Sequence, residues 1–145
     1  MITKNLTGDL EDSICITSAR WDDGGPFITE VNEAFTRLTG YSEQEVLDRN
    51  PKFLQGAGSS RLVLSELKQK CMAGEYFQGV TINYRKDGVP FVMEWCINPI
   101  RGRSGIILFY IAIQRDGSVT YEKTLDDASI TAIANFVIPG DDHRR

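Results

Sequence analysis

Few residues of this chain are of types and spacings that do chemistry. The single histidine is His143. One imidazole argues against a Ser-His-Asp triad, a structural zinc site and a haem held by histidine. The three cysteines, Cys15, Cys71 and Cys96, are odd in number, dispersed and set among apolar neighbours. They read as reduced, buried small hydrophobes of a cytosolic protein, not as a disulfide framework. Two amides say more. Asn83 and Gln114 fall on segments that otherwise alternate as strands, and both point inward. A buried amide costs free energy unless it is paired, so the two together imply a polar ligand or ordered water.

The elements that must position these groups follow from pattern. Ser13–Thr17 and Phe27–Val31 read as strands joined by a loop rich in turn formers, Asp22-Asp23-Gly24-Gly25-Pro26. Asn32 can cap a helix over Glu33–Leu38 that stops at Gly40. Ser42 and Glu45 form a capping box for a short helix through Leu47 that ends before Pro51. A longer helix starts near Ser59 or Ser60 and stops at Gly74. Its apolar stripe is Leu64, Leu67 and Cys71, with Lys68 on the same face. Strands over 76–84, 89–100 and 106–114 follow, separated by turns at Lys86-Asp87-Gly88 and 101–105.

Period-2 spacing places Gly79, Thr81 and Asn83 on one face. It likewise groups Phe91, Met93, Trp95 and Ile97, and then Leu108, Tyr110, Ala112 and Gln114. Phe109, Ile111 and Ile113 lie on the opposite face of the fifth strand, so both of its faces should be covered. A helix over about 124–137, with Ile130, Ile133, Ala134 and Val137 at i, i+3, i+4 and i+7, or a second protomer, can supply the outer cover. The expected class is α+β: a five-stranded antiparallel sheet with short helices on one face and a C-terminal helix.

Composition sets the remaining bounds. The chain has 145 residues, 16 Lys and Arg against 20 Asp and Glu, and a net charge of −4. An acidic balance offers no electrostatic footprint for nucleic acid. No apolar run approaches the ~20 residues of a membrane span, and Met1–Leu6 has no secretory core. The expected division is an N-terminal extension over 1–12, a sensory domain over 13–117, and a C-terminal helix and tail over 118–145.

The stretch Asp48-Arg49-Asn50-Pro51-Lys52-Phe53-Leu54-Gln55-Gly56 resembles the G-x-N-C-R-F-L-Q signature of LOV domains, the flavin-binding, blue-light-sensing branch of the PAS fold. Val31–Phe35 and Leu38–Ser42 are similar to the family's first helices, and Ile82–Gly88 to its I-N-Y-x-K-x-G hairpin. The resemblance implies FMN as cofactor, with FAD as the alternative. It places Thr17, Leu54, Gln55, Leu64, Leu67, Cys71, Trp95, Ile97 and Tyr110 around the flavin. Asn50, Asn83 and Gln114 would meet its polar edge, and Lys52 and Lys68 its phosphate. Those two lysines stand where the family has arginines, which keeps the charge and loses the paired donors. Met93 stands for an asparagine that bonds the ring carbonyls, and Gly25 for another asparagine.

The chemical departure is Pro51, which occupies the place of the adduct-forming cysteine. Proline has no nucleophile and no proton to give. The implied function is a cytoplasmic blue-light or redox sensor that forms no cysteinyl adduct. It would act through flavin photoreduction, with Trp95, Tyr110 or another aromatic as electron donor, and through reorientation of Gln114. A homodimer through Phe109, Ile111, Ile113 and the terminal helix is the expected partner, without nucleic acid or membrane. The rival reading, prompted by Pro51, Met93 and Gly25, is a flavin-free PAS module for dimerisation or partner binding. An enzyme is disfavoured, since no general base is in sight.

Overall fold

The computed structural model describes residues 12–117. Strands β1 (Ser13–Ser18) and β2 (Ile28–Val31) open the fold. Helices α1 (Glu33–Thr39) and α2 (Glu43–Val46), a 3-10 turn over Pro51–Leu54, and helix α3 (Arg61–Met72) follow. Strands β3 (Phe77–Tyr84), β4 (Pro90–Arg101) and β5 (Ile107–Asp116) complete the domain. The sheet order is β2-β1-β5-β4-β3, with every neighbouring pair antiparallel. The α+β class is as the sequence predicts.

The helix ends obey local chemistry. Asn32 Oδ1 accepts from Phe35 N at 3.0 Å, capping α1, and Gly40 ends that helix at φ 83°. An L side chain at that left-handed angle would strain the backbone. The Ser42–Glu45 capping box is formed in both directions. Asn50, extended as a residue before proline should be, accepts from Lys52 N at 2.9 Å. Pro51 takes the first position of the 3-10 turn, where its missing N–H is no loss.

The inner face of the sheet carries the main core, including Phe35, Phe77, Phe91, Met93, Trp95 and Tyr110. The outer face carries a second cluster of Ile14, Ile16, Cys96, Ile100, Ile111 and Ile113, each at most 3% exposed. The predicted terminal helix lies outside the described residues. One face assignment is corrected. Arg101 pairs with Ile107 while Ile100 pairs with Phe109, so Leu108 is the extra residue of a β-bulge. Leu108 is therefore half exposed, and Ile107 takes its place against the inner core.

Two arginines fasten the edges of the domain. Arg115 reaches both carboxylate oxygens of Asp12 at 2.8 and 3.0 Å. Arg85 pairs with Asp116 at 2.6 Å, lies 4.4 Å above the Phe91 ring and donates to the Leu38 carbonyl. The β3–β4 hairpin is thereby tied to α1 and to the end of β5.

Asn32 does more than cap. Its Oδ1 also accepts from Ile14 N at 2.9 Å, and its Nδ2 donates to Asp12 O at 3.0 Å. Asn32→Ala therefore loses the cap and strands a buried N–H of β1. The expected cost is about 2–3 kcal/mol, measured as a lowered urea midpoint with unchanged slope.

Candidate functional site

Between the inner sheet face, α3 and the loops lies a cavity of 410 Å³. That falls within the usual range of ligand clefts. Leu64, Leu67, Lys68 and Cys71 line it from α3 at i, i+3, i+4 and i+7, one helical face. β1 supplies Cys15 and Thr17, β3 Asn83, β4 Trp95 and Ile97, and β5 Tyr110, Ala112 and Gln114. Asn50, Pro51, Lys52, Leu54 and Gln55 contribute from the 3-10 turn and its flanks. Trp21, Gly24, Gly25 and Pro26 contribute from the loop after β1.

The structure thus gathers Thr17, Asn50, Lys52, Leu54, Gln55, Leu64, Leu67, Lys68, Cys71, Asn83, Trp95, Ile97, Tyr110 and Gln114 around one hollow. Met93 is the exception. It is 1% exposed, shares the inner face of β4, and is packed into the core instead of lining the hollow. It pairs with Asp116, one pleat beyond the Trp95–Gln114 pair. Cys15 and Ala112 were legible by period 2, since they share faces with Thr17 and with Tyr110 and Gln114. Trp21 had no such signal, because its loop has no periodicity.

The polar groups of the wall have different degrees of freedom. Asn50 is committed: besides capping, its Nδ2 donates to Gly24 O at 2.9 Å, stitching the two loops of the wall together. Gln114 is half committed. Ser13 Oγ donates to its Oε1 at 2.9 Å, leaving Nε2 as the end Ser13 does not hold. Asn83 Oδ1 is buried and has no hydrogen-bond partner, alone in this among the described side chains. Lys52 and Lys68 are exposed, and neither enters an ion pair among the described residues.

Gly25 also has a local reason. A Cβ there would stand 2.4 Å from the Arg20 carbonyl oxygen, so the loop path admits no side chain. Above it, Trp21 Nε1 donates to Tyr110 Oη at 3.0 Å, and Tyr110 Oη donates to the Cys71 carbonyl at 2.9 Å. Burial raises the Tyr110 phenol above its ordinary pKa, partly offset by the Trp21 bond.

Burial alone pushes the thiols of Cys15 and Cys71 from 9.0 up to about 12. Both therefore hold their protons more tightly folded than unfolded. Their contribution to stability is full below pH 9 and is lost as pH climbs toward about 12. At neutral pH the thiolate fraction falls about a thousandfold. Mass-spectrometric alkylation should accordingly leave Cys15 and Cys71 unlabelled in the folded chain and label them in denaturant.

Asn83 faces the cavity, where a ligand or water can donate to its Oδ1. Asn83→Leu should therefore leave the stability of the ligand-free chain within about 1 kcal/mol in chemical denaturation, while weakening whatever the cavity binds.

The sequence profile of the PAS domain family matches residues 11–118. Blue-light-activated histidine kinase 1 of Erythrobacter litoralis is 36% identical over 104 residues, covering 72% of this chain and 28% of that protein. The nitrogen fixation regulatory protein of Klebsiella pneumoniae is 31% identical over 141 residues, 92% of this chain and 28% of that protein. The chain thus spans less than a third of these curated relatives. The solved LOV domain of the Erythrobacter litoralis EL346 blue-light-activated histidine kinase superposes with a TM-score of 0.69 at 30% identity, covering 74% of this chain and 97% of that one. The Erythrobacter litoralis structure is the LOV domain of a histidine kinase, and the fold described here is that sensory module, not the kinase. Among the described residues no helix is long and apolar enough to cross a membrane, and no cluster of side chains could hold a metal ion. Sheet order, cavity and relatives agree that the chain belongs to the LOV branch of the PAS domain family.

Proposed function

We propose that this chain is a flavin-binding, blue-light-responsive sensory module that holds FMN without covalent capture. The observation that carries this reading is the orphaned Asn83 Oδ1, buried in the wall of a 410 Å³ cavity. A buried acceptor calls for a donor, and a ligand in this cavity can bring one. A flavin offers a ring N–H for Asn83, carbonyls for the Gln114 amide nitrogen, flat apolar faces for Leu54, Leu67 and Ile97, and a phosphate for Lys52 and Lys68. Asn50 acts here through the loops: it holds the wall together by its bond to Gly24.

When bound, the flavin supplies absorption of blue light and an excited state that accepts an electron. Pro51 stands in the wall with no thiol to add to the ring. Response then falls to groups that can change a hydrogen bond. Gln114 can exchange its amide oxygen and nitrogen by rotation. Ser13 suits such an exchange, because a hydroxyl that donates to Oε1 can turn and accept from Nε2. Ser13 adjoins Asp12, which Arg115 holds from β5. Reorientation at Gln114 therefore acts where the chain enters and leaves the domain. Of the outer residues of β5, Ile111 and Ile113 are already buried within one chain, so Phe109, partly exposed, is the route to a second copy of the chain.

The reading is tested by an absorption spectrum before and after blue light. The purified chain should be yellow, or become so with added FMN, with a structured blue band that does not bleach by adduct formation. In Pro51→Cys that band should bleach in light and recover in the dark. A colourless chain that takes up no FMN removes the proposal. Phe109→Glu, at the partly exposed position of the outer β5 face, should halve the molecular mass in solution; an unchanged mass would count against the dimer.

A further inference from the structure

Three aromatic side chains of the cavity wall can lose an electron: Trp21, Trp95 and Tyr110. Their surroundings are unlike. Trp95 is 5% exposed and meets the Phe77 ring edge-on at 5.5 Å. An oxidised indole is a cation, and a cation formed in that dry core is stripped of water. Tyr110 is 4% exposed and gives its hydroxyl proton to a backbone carbonyl. A phenol parts readily with an electron only as its proton leaves, and an amide oxygen is too weak a base to take that proton. Both buried candidates are held back by their own environment.

Trp21 is placed otherwise. It is only half buried, on the loop that carries Asp22 and Asp23. Arg20 pairs with both carboxylates, which leaves one negative charge in excess on the loop that carries the indole. A positive charge on this ring would therefore form against water and a net negative loop. The ring is also fixed. Its Nε1–H donates to Tyr110 Oη at 3.0 Å, and the two rings meet edge-on, centroids 6.0 Å apart and planes at 73°. The indole is held on the cavity wall by its Nε1–H and remains half exposed.

We propose that Trp21 is the residue that gives an electron to the light-excited flavin in the cavity. The inference rests on the flavin reading above. One electron leaves the Trp21 π-system and enters the excited flavin; no heavy-atom bond forms or breaks. Nε1 keeps its proton, because the neutral Tyr110 oxygen it bonds to is no base. In the dark the electron returns to Trp21. With a soluble thiol present, the thiol gives one electron to the oxidised indole, releases its proton to solvent and ends coupled to a second thiol as a disulfide, and the flavin stays reduced.

The experiment uses the chain loaded with FMN. Flavin fluorescence lifetime is measured, then the rate of anaerobic photoreduction with excess thiol, in the parent and in Trp21→Phe, Trp95→Phe and Tyr110→Phe. Trp21→Phe should lengthen the lifetime severalfold and slow photoreduction by about tenfold. Trp95→Phe should change either value by less than half as much. Tyr110→Phe keeps the donor but removes its pin, and should fall between. Transient absorption of the parent adds a readout independent of any variant's folding: a tryptophan radical should appear as the excited flavin decays. A parent with no such radical, or an effect that follows Trp95 instead of Trp21, overturns the assignment. A chain that takes up no FMN is seen before any light is used, and overturns the flavin reading itself.

Discussion

The pairing of β1 with β5 in the middle of the sheet is the constraint on which the rest depends. Its register sets Ser13 against Gln114, Cys15 against Ala112 and Thr17 against Tyr110. All but Ser13 line the cavity, and Ser13 holds the one remaining member in place. Side chains alternate across a strand, so a slip of β1 by one residue would turn Cys15 and Thr17 outward and bring Ile14 and Ile16 toward the hollow. Two strands from opposite ends of the domain thus define the site jointly. Neither is sufficient alone, because each contributes only every second residue to it.

Two buried asparagines show how the same side chain serves structure in one place and recognition in another. Asn32 is 8% exposed and makes three bonds, to Ile14 N, Phe35 N and Asp12 O. It is spent on holding α1 against β1. Asn83 is 7% exposed, and its Oδ1 makes none. A folded domain tolerates such an acceptor at a cost of about 1–3 kcal/mol. That cost is recovered when a donor arrives in the cavity. The lysines add charge at the rim, where water already solvates it, so they contribute more to choosing an anionic ligand than to stability.

The loop after β1 has a larger part than its composition implies. Gly24 accepts from Asn50, Gly25 passes where no Cβ fits, and Trp21 reaches back to Tyr110. Turn formers give this segment its sharp path, and the path is what sets an indole at the rim of the cavity. Pro51 fits its place by the same local logic: its lack of an N–H is harmless at the start of the 3-10 turn. The position that would carry a nucleophile can therefore carry proline without disturbing the wall.

Local signals in the sequence determined the helices and strands. Asn32 and Gly40, the Ser42–Glu45 box and Ser60 act within one turn of the chain, so their effect is readable without tertiary knowledge. Alternation likewise assigned Asn83 and Gln114 to the inside, and helical spacing the α3 stripe. Only the tertiary structure decided matters that depend on distant partners. It put Leu108 in a bulge, because β4 and β5 match their lengths by one extra residue. It packed Met93 into the core one pleat beyond the cavity's end. It brought Trp21, from a loop without period, against Tyr110 across 89 positions of sequence. Periodicity reports which way a side chain faces; what it meets there is set by chain closure, which joins residues that share no local pattern.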